Sequence, residues 1–562
     1  MSWKELGARL DQNRIWEYLT FLSGLDKLSG SSEARQASDY ILRQLNSAGV
    51  PCYEEWAREF LSNPLDSCLT LSDGTVIPSR PRSFSADCRE GITGELAYDP
   101  YCLDDQADWR QWEALLKSFR GKIVVAYGFD ERYIKRLERH GVRGLIQVWE
   151  SEEPGIHEDT ASGVWGCPTQ DTALLVPNIP IVGINGGAGR ELIERLSKES
   201  LEATLLTRLE TGVVSVPMPV AEIPGKHPEF LLLSCHYDTW FLGATDNCAA
   251  NAAAIEMARC FWEHREELER GIRIVWWAGH SNGRYAGSTW YCDHHWLELH
   301  QYCDAHITAD LLGNRGTDRE GVHTTGAEGR NFFQEIAAAA APGTEVDFFP
   351  IGRGADQSFW GTGIPFHFYS RSICRPEEKQ TATPGPGTPW WHTAADTLDK
   401  VDRAALARDA GVFYLSAYRL AVRSRLPFAW EEYLSETMQT LLECAENCEA
   451  DFDFAPVLEQ LALLDSAVCS AAVRCSEDEC WNRLVRLVYG TMNRLKQSYG
   501  SPYDQDLAFS ANGLFPRLCC VKGKRSEKLT AEEYLFLSTD FIRQRNRTVD
   551  ELMQLTQAVS RC

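Results

Sequence analysis

The chain has 562 residues, of which 44% are apolar and 24% charged, a mixture typical of folded globular proteins rather than disordered or fibrous ones. Its 56 Lys and Arg residues against 80 Asp and Glu residues give a net charge of −24, which repels phosphate backbones and anionic lipid headgroups. We therefore expect neither nucleic acid nor a membrane as a partner, and a chain of this length predicts about two to four domains.

The N-terminal residues lack the apolar segment of a secretory signal, and no stretch reaches the roughly 18 to 20 uninterrupted apolar residues of a membrane span. The 19 cysteines follow no disulfide-framework spacing. These features predict a cytoplasmic protein with reduced cysteines. The spacing of Cys475 and Cys480 is compatible with a zinc site, but no second ligand pair accompanies it, so we expect both to be buried packing residues.

Helical periodicity predicts two helices between residues 12 and 48, separated by a Ser-Gly turn. Short strands and turns are predicted from about 63 to 217, including the apolar runs 121–127, 142–148 and 178–184. This stretch lacks a phosphate-binding Gly loop and is too brief for a nucleotide-binding fold. We therefore interpret it as an inserted module.

From residue 219 near-continuous apolar strands alternate with helices, which predicts an α/β domain whose mixed sheet is flanked by helices. A helix over 403–424 is its last unit, and Pro427 marks a boundary. The remaining residues have helical periodicity and predict a helical C-terminal domain. The predicted domains are 1–62 (N-terminal helices of the α/β domain), 63–217 (insertion), 218–426 (the rest of the α/β domain) and 427–562 (helical).

The strongest chemical signal is a group of His and Asp residues at predicted strand ends. His236 and Asp238 end one strand, Asp246 begins the next helix, Asp310 follows a later strand, and His392 lies in a loop. In open α/β sheets, ligands bind beyond the carboxyl ends of the strands. A His with an Asp two residues later is typical of a metal ligand held by a carboxylate. Two His and two Asp ligands suit zinc or a similar divalent ion.

The order His-x-Asp, Gly-Ala-x-Asp-Asn, Gly-Ser, Asp and His-Thr-x-x-Asp-Thr-x-Asp-Lys resembles the zinc-dependent exopeptidase family, which includes bacterial aminopeptidases, glutamate carboxypeptidase and the transferrin receptor. The resemblance covers about residues 10–60 and 218–425. The insertion resembles the protease-associated domain of the larger members, and the helical tail resembles their dimerisation domain. The resemblance implies a zinc-exopeptidase-like fold, Zn²⁺ as cofactor in one or two sites, a small peptide or amide substrate, and a homodimer.

The resemblance also implies roles for individual residues. His236 would bind one metal ion and His392 the other, with Asp246 bridging them. Asp310 would complete the first ion's ligands, and Asp238 would orient His236.

One part of the family pattern is missing. The family places two adjacent Glu residues after the strand, the first as general base and the second as metal ligand, whereas the loop 278–286 contains no carboxylate. Counted from the strand, Gly279 takes the base position and His280 the ligand position; counted back from the Gly-Ser pair, Ser281 and Asn282 take them. Imidazole binds zinc whereas Ser and Asn are weak ligands, which favours His280.

Three accounts of the catalytic base stay open. His280 is the base; or His280 is a ligand and another group, such as Asp238 or a carboxylate outside the motif, takes the proton; or the domain catalyses no reaction. A general base is worth about 10²–10⁴ in rate.

Arg284 and Asn282 are candidates for clamping a substrate carboxylate or stabilising an oxyanion. For Arg284 the alternative is a solvated or salt-bridged loop residue. Asp356 matches the family's substrate-side block and either binds substrate or holds a loop.

We predict a metal-dependent hydrolase that cleaves an amide or peptide bond of a small substrate with an atypical active site. The retained His and Asp residues favour this function. The missing Glu pair motivates two alternatives: a non-catalytic dimeric binding protein that retains the peptidase fold, and a different metal-assisted reaction on a small amide-like compound.

Overall fold

The computed structural model describes residues 5, 8–102, 109–127, 131–151, 153–326, 328–354, 357–374, 388–427, 429–508 and 514–562. The strands are β1 Cys52–Leu71, β2 Val76–Ile77, β3 Arg80–Pro81, β4 Cys88–Tyr98, β5 Ile123–Ala126, β6 Gly144–Val148, β7 Ile181–Ile184, β8 Glu202–Ile223, β9 Phe230–His236, β10 Gly271–Trp277, β11 Cys303–Thr308, β12 Arg319–Thr324, β13 Glu345–Pro350 and β14 Phe366–Ile373. The helices are α1 Gln12–Leu22, α2 Ser32–Ser47, α3 Trp109–Ser118, α4 Glu131–Arg139, α5 Gly186–Leu196, α6 Ala249–Glu263, α7 Ala286–Tyr302, α8 Glu328–Ala340, α9 Arg403–Ala421, α10 Trp430–Glu446, α11 Ala455–Arg474, α12 Asp478–Gln497 and α13 Ala531–Ser560.

Within these residues the strands form one mixed sheet in the order β13-β12-β14-β11-β9-β10-β8-β4-β5-β6-β7-β3, with β1 paired to β8 and β2 paired to β1. Strand β9 is buried along its whole length and lies parallel to both β10 and β11. Its near-continuous apolar sequence matches this position, because a strand covered on both faces has no solvent side. The predicted mixed sheet flanked by helices is confirmed.

The helices α1, α2 and α9 pack with α6, whose Ala-rich sequence is almost entirely buried and allows close approach to the sheet. Helix α7 packs against β1 and β11. The part of the sheet formed by β8 to β14 is called the main sheet below. The carboxyl ends of β9, β10 and β11 lie together at one edge of it, because these three strands are parallel. The candidate site lies at this edge.

The strands that connect the main sheet to the insertion differ from the prediction of short strands after residue 63. β1 and β8 are 20 and 22 residues long and pair antiparallel over nearly their whole length. Pro64, Pro217 and Pro219 made these stretches resemble turns, because proline cannot donate to a ladder. A register shift between Pro64 and Asp66 accommodates one of them. The predicted boundaries at 62/63 and 217/218 therefore fall inside β1 and β8.

The insertion has its own apolar packing. Strands β4, β5, β6 and β7 run parallel to one another, and the side chains around them form two clusters separate from the main core. The likeness of this module to a protease-associated domain stays a prediction.

The C-terminal helices α10 to α13 pack together, and their buried side chains belong to the same core as the main sheet. Arg486 on α12 pairs with the buried Asp304 of β11 at 2.6 Å, and Arg270 pairs with the same carboxylate. The predicted helical region is present. Among the described helices, α11 is long and apolar enough to cross a membrane by length and composition only, but here it packs against α13.

Cys475 and Cys480 form a disulfide, so the prediction of reduced, packed thiols is wrong for this pair. Cys475 ends α11, and the turn into α12 brings its Cα atom within 5.3 Å of the Cα atom of Cys480. That separation lies in the range that a disulfide requires.

Candidate metal centre

The structure brings together four of the five predicted metal ligands, His236, Asp246, Asp310 and His392, at the carboxyl edge of the main sheet. Nε2 of His236 lies 3.1 Å from Oδ1 of Asp246 and 3.5 Å from Oδ1 of Asp310. Nε2 of His392 lies 3.1 Å from the second oxygen of Asp246, Oδ2. Asp246 therefore lies between the two imidazoles, with one carboxylate oxygen directed at each.

Three of these atoms are buried without a hydrogen bond to any described residue: Nε2 of His236, Oδ1 of Asp246 and Oδ1 of Asp310. Buried polar atoms are almost always hydrogen-bonded, so three that face one another at contact distance need an explanation. A divalent cation bound among them would satisfy all three, and this nitrogen and oxygen donor set suits zinc. The residues therefore fit the predicted metal.

The electrostatics of the cluster also favour a cation. Burial lowers the pKa of His236, but the carboxylates of Asp246 and Asp310 outweigh burial and raise it well above its ordinary value. Burial raises the pKa of Asp246, but His236 and His392 outweigh it and hold the pKa well below its ordinary value. A buried site whose carboxylates favour a positively charged neighbour to this extent is suited to a metal cation.

Backbone carbonyls orient both imidazoles. Nδ1 of His236 lies 2.8 Å from the carbonyl oxygen of Asp238, and Nδ1 of His392 lies 3.0 Å from that of Glu158. Because a carbonyl only accepts hydrogen bonds, Nδ1 carries the proton in each ring and Nε2 is left to bind metal.

Asp238 acts differently from the prediction that its side chain orients His236. Its carbonyl contacts that ring, while its carboxylate accepts hydrogen bonds from the backbone N–H groups of His280 at 3.3 Å and Ser281 at 2.9 Å. The carboxylate therefore holds the loop that replaces the Glu pair.

Asp396 was not predicted as a site residue, although it lies four residues after His392. Its carboxylate accepts hydrogen bonds from the backbone N–H and hydroxyl of Thr245 and from the backbone N–H of Asp246, at 2.9 to 3.0 Å. Burial raises the pKa of Asp396 to about 7. Its position in the His-Thr-x-x-Asp block was the available signal, and its contacts fix the backbone that presents Asp246.

His280 lies at the centre, stacked on His236 with ring centroids 3.6 Å apart and an angle of 5° between the rings. Its nearest ligand atom, with those of His236 and Asp310, falls in a set in which all atoms lie within 4.8 Å of one another. Imidazole lone pairs lie in the ring plane, and parallel planes do not meet. This orientation is poorly suited to both rings binding one ion. The metal-ligand and base roles of His280 stay predictions.

The other predicted residues of this loop have structural partners. The side chain of Asn282 donates to the carbonyl of Ser29 at 3.1 Å and to the side chain of Asn63. Arg284 pairs with Glu131 of the insertion and lies 3.7 Å from Asp159. These contacts hold part of each side chain, while Oδ1 of Asn282 and Nε of Arg284 are buried without a hydrogen-bond partner among the described residues.

Asp356 lies outside the described residues.

The insertion reaches the metal centre through three consecutive residues that the sequence analysis missed. His157 is fully buried, stacks on Trp149 at 3.6 Å, and lies 5.1 Å from the ring of His392. The backbone of Glu158 donates to the carbonyl of His392 at 2.9 Å and accepts from its ring. One ligand atom each from His157, Asp159 and His392 form a second set within 4.8 Å of one another. The run His-Glu-Asp in a loop was the available signal.

A buried carboxylate from β1 also adjoins the loop. Glu59 is 1% exposed, and neither of its carboxylate oxygens has a hydrogen-bond partner among the described residues. A Cβ atom at Gly279 would overlap Oε2 of Glu59. Burial, and then repulsion from Asp238, raise the pKa of Glu59 well above its ordinary value. Gly279 therefore leaves room for a carboxyl group supplied by another element.

Several non-glycine residues around the site adopt left-handed backbone conformations. They are Arg284 (φ 50°), Tyr285 (φ 67°), Leu311 (φ 59°) and His392 (φ 55°). Such conformations are unfavourable for residues with a Cβ atom and concentrate at functional sites. The two loops and the segment after β11 are thus held in shapes that the sequence alone would not favour.

The segment that carries the candidate metal ligands matches a known protein family. Residues 220–415 match the model of Peptidase family M28. This segment contains His236, Asp246, Asp310 and His392, and the match supports a metal-dependent peptide hydrolase. No curated protein matches the chain.

Solved aminopeptidase structures share the fold. An aminopeptidase from Aneurinibacillus sp. strain AM-1 is 20% identical with a TM-score of 0.56, covering 75% of this chain and 96% of its own. A zinc aminopeptidase from Bacillus subtilis is 18% identical with a TM-score of 0.58, covering 74% and 96%. A Peptidase M28 precursor from Shewanella amazonensis SB2B is 18% identical with a TM-score of 0.58, covering 76% and 97%. At these identities the likeness shows the fold alone.

Proposed function

We propose that the protein is a zinc-dependent exopeptidase-type hydrolase that cleaves a terminal peptide or amide bond of a small substrate. The observation that carries this proposal is the convergence of buried atoms without hydrogen bonds from His236, Asp246 and Asp310 at the carboxyl edge of the sheet. The match of the same segment to Peptidase family M28 supports it.

A zinc ion held by His236, Asp246, Asp310 and His392 would supply polarisation of the substrate carbonyl and a more acidic water molecule. The chain's own residues do the rest. His236 and His392 present Nε2 because backbone carbonyls hold Nδ1, and Asp246 offers one oxygen to each side. Asp396 holds the backbone of Asp246 in place.

We propose that His280 accepts the proton of the attacking water and passes it to the leaving amine. Its ring is stacked parallel to that of His236, an orientation in which the two rings are poorly placed to bind the same ion. Tyr285 contacts the His280 ring in an edge-on arrangement, with ring centroids 4.3 Å apart. The carboxylate of Asp238 holds its backbone. A positioned imidazole is the commonest general base, worth about 10²–10⁴ in rate.

Recognition of a free amino end is the better-supported specificity. Arg284, the residue predicted to clamp a substrate carboxylate, already has its charge balanced by Glu131 and Asp159. The solved structures that share the fold include aminopeptidases. We therefore propose that the substrate presents its amino end to the site.

The test combines zinc content with cleavage of aminoacyl p-nitroanilides, dipeptides and N-acetylated counterparts. We expect the purified protein to hold zinc and to cleave substrates with a free amino end. His280→Ala should keep its zinc and lose about 10²–10⁴ in kcat. His294→Ala, at an exposed position of α7 where the ring contacts the carbonyl of Trp290, is the matched control and should behave as the native protein.

Each other outcome has a defined meaning. If His280→Ala loses an ion, His280 is a ligand rather than the base. If the native protein takes up no zinc even after incubation with it, the hydrolase proposal fails. Zinc uptake without cleavage of any peptide or amide in the panel would favour the non-catalytic binding protein that retains the fold.

The exposed face of α13 supports a proposal of homodimerisation. Leu535, Phe536, Ile542 and Met553 are each at least 44% exposed on this helix. Exposed apolar patches mark interaction sites. We propose that two copies pair through this face, so Leu535→Glu with Phe536→Glu should convert a dimer to a monomer in light scattering. A native protein that is monomeric at all concentrations would contradict the proposal.

A further inference from the structure

The segment His157-Glu158-Asp159 of the insertion faces a gap in the metal centre. On the sheet side, Nε2 of His392 has the carboxylate of Asp246 at 3.1 Å, while the loop 278–286 provides no carboxylate beside them. A zinc ion bound by His392 and Asp246 alone would have too few protein ligands, since catalytic zinc normally has three. With His280 assigned as the proposed general base, the further donor would come from another element.

We propose that the insertion supplies this donor: His157 and Asp159 bind, together with His392 and Asp246, a second zinc ion. The inference rests on the proposed function, because it assigns ligands within the same metal centre. One ligand atom each of His157, Asp159 and His392 lie within 4.8 Å of one another. Imidazole and carboxylate are ordinary zinc ligands.

The segment is held by contacts that prearrange these donors. Two hydrogen bonds join the backbone of Glu158 to His392. The N–H of Glu158 donates to the carbonyl of His392, and the carbonyl of Glu158 accepts from Nδ1 of the His392 ring. The carbonyl of His157 accepts from the buried guanidinium of Arg82, which also donates to Gln147 at 2.9 Å. Functional ligands need this kind of support from the residues behind them.

The two proposed donors differ in accessibility. His157 is fully buried and packs between the rings of Trp149 and His392. Asp159 is the more accessible of the two, and its Oδ1 lies 3.7 Å from Arg284 and accepts from the backbone N–H of Thr160.

A purely structural role makes a different prediction. In that case His157 packs between Trp149 and His392, and Asp159 balances the charge of Arg284. Substitution would then change stability but not the number of ions bound.

The experiment counts zinc in the full-length protein. The native chain and the variants His157→Gln, Asp159→Asn and Glu194→Gln are stripped with chelator, reloaded with zinc, freed of excess metal and measured by elemental analysis. Glu194→Gln is the matched control, because Glu194 is an exposed carboxylate on α5 of the insertion whose side chain pairs with Lys198. Melting of the stripped proteins verifies that each variant is folded.

We expect about two zinc ions per chain in the native protein and in Glu194→Gln, and about one in His157→Gln and in Asp159→Asn. A chelating dye should remove zinc from the native protein in two phases and from these two variants in one. The inference is overturned if both variants hold as much zinc as the native chain and release it at the same rates. If the native chain binds no zinc, the proposed function fails as well, so the two failures are distinguishable.

Discussion

The two sides of the metal centre are built in different ways. On the sheet side, His236 and Asp310 come at or directly after the ends of adjacent parallel strands. On the insertion side, Glu131, His157 and Asp159 come from a helix and a loop that are distant in sequence and reach the centre only through packing. The sheet therefore positions the candidate metal ligands, while a module packed over that edge places further His and Asp side chains beside them that the local motif lacks.

The largest expected effect comes from Asp246, the residue that both sides share. Asp246→Asn removes the charge that lies 3.1 Å from Nε2 of both His236 and His392. We expect loss of zinc and a fall in kcat/KM of at least about 10³-fold, because metal stabilisation of the transition state is worth several kcal/mol. Elemental analysis and a peptide cleavage assay measure the two effects.

The control for this variant is Asp399→Asn, an exposed carboxylate in the segment that carries His392, which pairs with Thr397 and Lys400. It should retain zinc and activity. If Asp246→Asn keeps its zinc and its activity, Asp246 is not a ligand shared by the two sides of the metal centre.

Much of the sheet side could be predicted from the sequence. The apolar run that ends at His236 identified a buried strand, and parallel strands place their carboxyl ends at one edge. The C-terminal helices were predictable from their periodicity, because each buries one face. In both cases a local pattern is directly linked to a position in the fold.

The insertion side could not be predicted in this way. The three prolines in β1 and β8 concealed two long strands, and those strands determine where the insertion lies. A substrate clamp and a salt-bridged loop residue were both open for Arg284, but its partner Glu131, 153 residues away in the chain, could not be identified from the sequence. Glu59, on β1, fills the space beside Gly279. Contacts of this kind depend on tertiary packing, which no local pattern encodes.

The ion pair between Arg284 and Glu131, which joins the two sides, is expected to affect the stability of the fold. Glu131→Gln leaves the largely buried Arg284 paired only with the more distant carboxylate of Asp159, and we expect a loss of about 1–3 kcal/mol in the free energy of unfolding, because a charged hydrogen bond is lost from a buried site. Replacing both partners by Met should recover most of that loss. Denaturant unfolding of the two variants gives the comparison.

If the single variant loses less than about 0.5 kcal/mol, the pair behaves as an exposed surface ion pair. The insertion would then be held over the site by the β1–β8 ladder and the Glu158–His392 contacts instead.

The smallest expected effect is a pH dependence from Glu59, on the strand that runs between the two sides. Burial and the Asp238 carboxylate raise the pKa of Glu59 well above its ordinary value, so the folded state holds this proton more tightly than the unfolded state. Its contribution to stability is fully present below the ordinary Glu pKa of about 4.3 and is lost as the pH rises through the raised value. The Gln side chain of Glu59→Gln cannot ionise. In metal-free buffer the free energy of unfolding of this variant should match that of the native protein near pH 4 and exceed it by about 1–3 kcal/mol in alkaline buffer.

The control is Glu210→Gln, at an exposed carboxylate on the neighbouring β8, which should leave the pH profile of stability unchanged. Parallel profiles for the native protein and Glu59→Gln would mean that this carboxyl group has the same pKa folded and unfolded, and that the space beside Gly279 is open to water.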